Sequence, residues 1–309
     1  MNLYLPIAEM SINIWLLIGM GAAVGFLSGM FGVGGGFIMT PLLIFVGISP
    51  AVAVGTGAAQ MVASSMSGAV AQYRRGNVDV KMGMVLLAGG LVGTAIGVQA
   101  VHILRKMGQF DLFVSLAYVT FLGAVGSLML IESMRALRNV KASGKPAGRR
   151  ANAHSWLDGL PFKMRFRRSK LYTSAVPPAI IGAFVGFLAA LMGIGGGFII
   201  VPALIYLLRM PTNIVVGTAL FQLVFVTAAT AVLQSATNQN VDLPLAVFLV
   251  IGGVVGAQLG AIAGQRLRGE QLRFWLAALV LLVCLRVGYD LVVKPAELYS
   301  VTPMVRGLQ

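Results

Sequence analysis

Two runs of glycine interrupt otherwise apolar stretches of this sequence. Residues 32–36 read Gly-Val-Gly-Gly-Gly, and residues 193–197 read Gly-Ile-Gly-Gly-Gly. Consecutive glycines predict a broken helix, because each costs about 1 kcal/mol relative to alanine in a helix interior. The amides of a broken segment need partners, and those that begin the next helix carry the positive end of its dipole. We therefore expect the two runs to bind an anion. Tight helix packing through small residues is the alternative.

A threonine and a glutamine four residues apart follow each glycine run. The pairs are Thr56 with Gln60 and Thr218 with Gln222, and this spacing places both side chains on one helix face. Their hydroxyl and amide groups can donate to an anion or bond to a neighbouring helix, and the sequence leaves both roles open. Nearby hydroxyl residues extend this polar lining: Ser64, Ser65, Ser67, Thr227 and Thr230. The predicted substrate-binding residues are Gly34, Gly35, Gly36, Thr56, Gln60, Gly195, Gly196, Gly197, Thr218 and Gln222.

Other kinds of site lack the residues they require. One cysteine and two distant histidines make neither a disulfide nor a metal cluster, and there is no Gly-x-x-x-x-Gly-Lys-Ser/Thr motif for ATP. We find no buried nucleophile with a base, so we predict no catalytic residue, no metal, no cofactor and no enzyme activity. Asp79 and Asp242 each precede a helical segment, and we interpret them as N-caps.

The composition identifies lipid as the main solvent of the chain. Of its 309 residues, 58% are hydrophobic and 10% are charged, whereas soluble domains carry roughly 25% charged residues. This excludes a soluble enzyme, a disordered protein and a nucleic-acid-binding domain, despite a net charge of +14. Eight segments reach the roughly 20 apolar residues that a membrane-spanning helix needs. They are residues 12–31, 51–72, 82–104, 112–131, 175–193, 213–235, 243–265 and 273–293. Segments 37–46 and 198–208 are too short to span alone.

The two glycine runs belong to an internal repeat. Gly34-Gly35-Gly36-Phe37 recurs as Gly195-Gly196-Gly197-Phe198, Gly55-Thr56 recurs as Gly217-Thr218, and Asn77-Val78-Asp79 recurs as Asn240-Val241-Asp242. The offset between the copies grows only from 161 to 163 residues. We therefore predict an all-α polytopic membrane protein with two homologous halves, each with four full spans and one short glycine-broken helix. The predicted parts are residues 1–131, a basic loop 132–174, and residues 175–309.

The basic loop predicts the orientation of the chain. Eleven basic and two acidic residues lie between Glu132 and Tyr172, which gives this segment +9 of the net charge of +14. Basic loops stay in the cytoplasm. If the two short segments count as crossings, the halves become inverted repeats with both termini outside, and parallel repeats are the alternative. The apolar residues of the loop, Phe166 among them, suit a segment on the membrane surface, where its bases contact anionic lipid head groups.

The paired motifs resemble a known family. Gly-Met-Phe-Gly-Val-Gly-Gly-Gly-Phe at residues 29–37, with Pro41 and the Gly55-Thr56 helix, is similar to the first signature of the TauE/SafE family of sulfite exporter-like membrane proteins. Residues 193–198, with Pro202 and Gly217-Thr218, resemble its second half. The resemblance implies a multi-pass permease of a bacterial-type inner membrane for small sulfur-containing anions.

The function we expect is secondary transport, because the sequence carries no motif for ATP. The leading hypothesis is a carrier that exports sulfite, an organosulfonate or a similar anion by alternating access between the two halves. The alternatives are a passive anion channel and an uptake permease for another small organic anion. The expected partners are this substrate and membrane lipids, with no nucleic acid, and a homo-oligomer stays open.

Overall fold

The computed structural model describes residues 2–108, 110–143, 163–166, 168–169, 171–193, 195–208, 210–264 and 269–293. These residues form ten helices and two small hairpins. The first half contains β1 (Asn2–Leu5), β2 (Met10–Asn13), α1 (Ile14–Phe31), α2 (Gly36–Phe45), α3 (Pro50–Arg74), α4 (Val80–Lys106) and α5 (Phe110–Ser143). The second half contains β3 (Lys163–Phe166), β4 (Leu171–Ser174), α6 (Val176–Met192), α7 (Gly197–Tyr206), α8 (Thr212–Asn238), α9 (Leu243–Ala263) and α10 (Gly269–Val293).

The helices make the chain a polytopic membrane protein. Five of them are long and apolar enough to cross a membrane: α1, α4, α8, α9 and the Leu112–Ile131 part of α5. Helix α3 is as long but carries three serines and two glutamines, which lower its hydropathy. The short helices α2 and α7 have ten residues each and reach about 15 Å, half the thickness of the hydrocarbon core.

The two hairpins correct the expectation of an all-α chain. Strands β1 and β2 pair antiparallel before α1, and β3 and β4 pair antiparallel before α6. The hairpins occupy equivalent places in the two halves, and each buries one large side chain completely, Leu5 and Phe166 respectively. Phe166 therefore lies in the protein core and not on the membrane surface. Strands β2 (Met-Ser-Ile-Asn) and β3 (Lys-Met-Arg-Phe) do alternate between apolar and polar residues, but four residues are the shortest alternation that indicates a strand.

The segment predicted as a basic loop is partly regular structure. Helix α5 continues through its first residues to Ser143, and the hairpin of β3 and β4 occupies its end. Trp156, Leu157, Leu160 and Phe162, which the sequence also predicts on the membrane surface, lie outside the described part of the chain. Met164 of β3, from the same prediction, is 40% exposed.

Glycines bring helices of different halves into backbone contact. A Cβ on Gly25 of α1 would collide with the backbone of Gly253 in α9, and a Cβ on Gly29 would collide with Ala257. In the same way, Gly89 and Gly93 of α4 lie against Ala179 and Ala183 of α6. The contacts advance in the same direction on both helices, so each pair runs parallel. Small residues every four positions allow this approach in membranes.

Helices α3 and α8 form the centre and run in opposite directions. Gly55, near the start of α3, lies against Asn240, just beyond the end of α8. Gly217, near the start of α8, lies against Asn77, just beyond the end of α3. Helices α5 and α10 pack together beside this centre, where Gly126 approaches Val280 and Leu281.

Candidate functional site

The first glycine run breaks the helix as predicted. Helix α1 ends at Phe31, and Gly32 caps it in the left-handed conformation while its amide donates to the Ser28 carbonyl at 2.8 Å. Gly35 is the N-cap of α2 with φ of +72°, a conformation that costs an L side chain about 1–2 kcal/mol. Helix α2 then begins at Gly36, and its ladder starts with the bonds that Ile38 and Met39 donate to the Gly35 carbonyl.

The second glycine run has the same geometry. Gly193 caps α6, Gly195 and Gly196 have φ of +70° and +71°, and α7 begins at Gly197. The prediction of two broken helices in equivalent positions is therefore confirmed. Each break leaves amides ahead of a short helix, at the positive end of its dipole.

The structure brings the two breaks together. A Cβ on Gly197 would collide with the carbonyl oxygen of Val33, so the backbone of one break lies directly on that of the other. The first aromatic residues of the two short helices, Phe37 and Phe198, have ring centroids 6.2 Å apart. The predicted binding residues of both halves therefore meet in one region.

Two apolar side chains that the sequence did not single out line the space at the breaks. A Cβ placed on Gly34 would lie 3.0 Å from the Cε of Met61 and 3.0 Å from a Cδ of Leu223. Met61 also contacts Gly195, so its side chain touches both breaks. Met61 and Leu223 are equivalent residues of the repeat and are fully buried. Their only signal in the sequence is that each follows a predicted glutamine.

Two buried hydroxyl groups flank the first break without a partner. The Ser65 Oγ lies 3.6 Å from the Cβ position of Gly34, and the Cβ of Ser28 lies 3.1 Å from that of Gly35. Neither hydroxyl has a hydrogen-bond partner among the described residues. Ser65 belongs to the predicted polar lining, whereas Ser28 was missed, although it stands one turn before Gly32. A buried hydroxyl without a partner is uncommon, so a ligand is a reasonable partner for it.

The two predicted glutamines face other helices. Gln60 is fully buried against Gly253 of α9, and neither atom of its amide has a partner among the described residues. Gln222 donates weakly to the Leu86 carbonyl of α4 at 3.5 Å, and its own oxygen has no partner in the same part of the chain. Gln60 is about 140° around α3 from Ser65, so the structure separates it from the break.

The two predicted threonines join the halves. The Thr56 hydroxyl accepts a bond from the Asp242 amide at 3.0 Å, and the Thr218 hydroxyl accepts one from the Asp79 amide at 3.1 Å. The sequence leaves open whether these threonines bind an anion or bond to a neighbouring helix, and these two bonds correspond to the second role. Each hydroxyl keeps its own proton for a further bond.

The predicted N-caps are confirmed, and each also holds a hairpin. The Asp79 carboxylate accepts from the amide of Met82 at 3.3 Å in the first turn of α4. Its second oxygen accepts from the amide and hydroxyl of Ser169, in the turn between β3 and β4, at 3.0 and 2.6 Å. Asp242 caps α9 and accepts from Ile7 and Ala8 in the turn of the other hairpin at 3.0 and 3.3 Å.

Residues 17–287, which include both breaks and all ten predicted site residues, match the family described as "Sulfite exporter TauE/SafE". The chain belongs to this family. TauE/SafE proteins are transporters and not enzymes. Within the described residues, no three His, Cys, Asp or Glu side chains come together as a metal site would require.

Relatives of this TauE/SafE chain carry matching names. The "Probable membrane transporter protein YjnA" of Bacillus subtilis (strain 168) is 27% identical over 281 residues, which cover 90% of this chain and 100% of that protein. A "Probable membrane transporter protein" of Xylella fastidiosa (strain 9a5c) is 31% identical, over 81% of this chain and 84% of its own. No solved structure matches this chain. The chain is therefore a multi-pass membrane transporter of the TauE/SafE family.

Proposed function

We propose that this chain is a secondary transporter that exports small sulfur-containing anions, such as sulfite or an organosulfonate, across a bacterial-type inner membrane. The observation that carries the proposal is the contact between the two glycine breaks, with the unpartnered hydroxyls of Ser28 and Ser65 beside the first. Broken helices that converge from two repeats are a common way to build a transporter binding site near the midplane of the membrane.

The chemistry of these groups suits an oxyanion. The amides at the start of α2 and α7 donate hydrogen bonds and contribute partial positive charge, while the two serine hydroxyls donate without adding charge. In this proposal Gly34, Gly35 and Gly36, with Gly195, Gly196 and Gly197, present backbone amides to the oxygens of the anion. Such a site binds an anion without a buried lysine or arginine, which would be costly to desolvate and would hold the anion too firmly for release.

The proposed roles of the remaining site residues follow from their surroundings. Gln60 and Gln222 supply amides along the path of the anion on the α9 and α4 sides of the centre. Thr56 and Thr218 hold the loops that carry Asp242 and Asp79, and their free protons complete the hydrogen bonds of the path.

Alternating access between inverted repeats is the proposed mechanism. Two facts support the inversion. The equivalent helices α3 and α8 run in opposite directions, and the first helix of each half pairs with the fourth helix of the other, as α1 with α9 and α6 with α4. The proposed cytoplasmic position of the basic segment 132–174, against anionic lipid head groups, places both termini outside.

A carrier fits the centre of the molecule better than the alternative, a passive channel. Met61 and Leu223 fill the space at the breaks, so the substrate region is closed by side chains. Met61 has a flexible side chain that can move aside when an anion enters. A channel needs a continuous water-filled path through the protein. Unitary currents in a planar bilayer would support the channel.

Binding of sulfite to purified protein tests the proposed site. We expect Ser28→Ala and Ser65→Ala each to weaken sulfite affinity about 10- to 100-fold, since a hydrogen bond to a charged group contributes roughly 1.5–3 kcal/mol. Ser127→Ala is the matched control, because the Ser127 hydroxyl lies on α5 away from the breaks and already donates to the Ala124 carbonyl at 3.0 Å. Unchanged affinity in both test variants would remove the site.

Transport in proteoliposomes tests the activity itself. Labelled sulfite, thiosulfate and a simple sulfonate are followed in both directions, with pH and sodium gradients imposed independently. We expect movement that depends on one of these gradients and saturates with the anion. Flux that depends on neither gradient, together with unitary currents, would contradict a carrier and support a passive channel.

A further inference from the structure

A lateral groove of about 580 Å³ opens on the surface between α3 and α9. Its α3 wall extends from Ala63 to Arg74, and Gln258 and Val254 contribute from α9. The eleven helical steps from Ala63 to Arg74 cover about 16 Å, so the groove extends over about half the thickness of the hydrocarbon core. Arg74 is the last residue of α3 and therefore marks the end of the groove at the membrane surface.

The wall of the groove has an apolar length and a polar end. Met66 and Val70 are 53% and 44% exposed on the outer side of α3, which opens the groove towards lipid. Arg74 and Gln258 are also exposed, and the buried Ser67 Oγ has no partner among the described residues. No acidic side chain among the described residues lines the groove. Its occupant should therefore combine an anionic group with an apolar chain.

The repeat shows that this combination is specific to one half. The positions equivalent to Ser67, Arg74 and Gln258 are Ala229, Ala236 and Ala95, so all three polar groups are replaced by methyl groups.

The open space also differs between the halves. Ala63 corresponds to Phe225, a large side chain whose ring lies 5.3 Å from that of Phe221. Because the two halves otherwise share their motifs and helix pairing, shared architecture does not account for the groove.

We propose that this groove binds one anionic phospholipid. The phosphate lies at Arg74, the glycerol region bonds to the exposed amide of Gln258, and one acyl chain lies along Met66 and Val70 towards Ala63. A small free anion would gain nothing from the apolar wall, and a zwitterionic head group would place its cation beside Arg74. Basic pockets between membrane helices commonly hold anionic lipids in this way. The site is separate from the proposed path of the transported anion.

Native mass spectrometry of the full chain in detergent tests the lipid site. The protein is titrated with phosphatidylglycerol and with phosphatidylcholine of the same acyl chains. We expect a preference for phosphatidylglycerol that Arg74→Gln lowers about fivefold, the effect of one basic residue near an anionic head group. Arg105→Gln is the matched control, because Arg105 is an exposed arginine outside the groove that bonds to the Asn238 carbonyl. Equal loss in the two variants, or no preference in the wild type, would overturn the proposal.

Filling and transplanting the groove separate the site from a general charge effect. Ala63→Phe, which copies the other half, should weaken binding of both lipids, whereas the double variant Phe225→Ala with Ala236→Arg should add a second phosphatidylglycerol site. Thermal unfolding of each variant shows whether it has folded. Arg74→Gln and Arg105→Gln change exposed side chains, so these two variants still decide the test if Ala63→Phe or the double variant does not fold. Displacement of the lipid by an equal concentration of inorganic phosphate would overturn the assignment to a lipid.

Discussion

Gln60 combines complete burial with an amide that has no hydrogen-bond partner among the described residues. Burial of an unpaired polar group costs about 1–3 kcal/mol, so a sequence under selection for stability alone would hold an apolar residue there. Gln234 of α8, which is the equivalent of Gln72, is also fully buried but has partners. Its amide donates to the Ala190 carbonyl at 3.0 Å, and its oxygen accepts from Asn238 and Asn240. The two glutamines therefore have opposite expected effects on stability.

Substitution by leucine separates these roles. Gln60→Leu should raise the free energy of unfolding by about 1–3 kcal/mol, because it removes an unsatisfied buried amide. The same variant should lose transport if Gln60 supplies an amide to the path. The control Gln234→Leu should lower the free energy of unfolding by about 1–3 kcal/mol, since it leaves its former partners unpaired. Denaturant unfolding in detergent and flux in proteoliposomes measure the two quantities. A destabilised Gln60→Leu protein with full transport would contradict the prediction.

At the scale of the element, backbone contact between helices depends on where the glycines lie. Gly25 and Gly29 lie on the face of α1 that touches α9, whereas Gly19 of the same helix has no neighbour within 4 Å of its Cβ position. Lipid is as apolar as leucine, so the association of α1 with α9 depends on this close van der Waals packing and not on the hydrophobic effect.

A pair of leucine substitutions on α1 tests this packing. Gly25→Leu should lower the free energy of unfolding by about 1–3 kcal/mol or prevent folding, because its side chain would have to displace the backbone of Gly253. Gly19→Leu, which adds the same atoms on the exposed face, should leave stability unchanged within about 0.5 kcal/mol. Thermal unfolding of the purified variants measures the difference. Equal stability of the two variants would show that α1 and α9 are not in backbone contact.

At the scale of the whole molecule, the two sequence halves are interlocked. The closest helix pairs, α1 with α9, α4 with α6 and α3 with α8, all join one half to the other. The same is true at the ends of the molecule, where Asp79 of the first half holds the β3–β4 turn and Asp242 of the second half holds the β1–β2 turn. A movement of one half therefore has to rearrange contacts of the other, as the proposed alternating access requires.

The orientation of the halves is open to a direct test. Two reporter proteins are used, one that is active only in the cytoplasm and one that is active only outside the membrane. If the repeats are inverted, the cytoplasmic reporter should be active within residues 144–162, and the external reporter should be active at the C-terminus. Each position is fused in turn to both kinds of reporter, so that every fusion protein has its own control. Strong cytoplasmic activity at the C-terminus would contradict the inverted arrangement.

Local patterns predicted a large part of the structure. The glycine runs predicted two helix breaks, the apolar segments predicted the long helices, and Asp79 and Asp242 were identified as N-caps, because each of these features depends on residues of one continuous segment. The hairpins were missed although β2 and β3 alternate between apolar and polar residues, because an alternation of four residues is the weakest strand signal. Met61 and Leu223 were missed because nothing marks one buried apolar residue among many.

Composition and repeated motifs were enough to identify lipid as the solvent, two copies of one unit and the two helix breaks, because these features can be recognised along the unfolded chain. Three other features became visible in the folded protein alone: the two breaks touch, Thr56 bonds to Asp242 186 residues away, and Gln60 is buried without a partner among the described residues. Such pairings depend on which faces two helices present to each other. Helix faces that are rich in glycine can pack in more than one register. The contacts of the whole chain are therefore needed to select one of these registers.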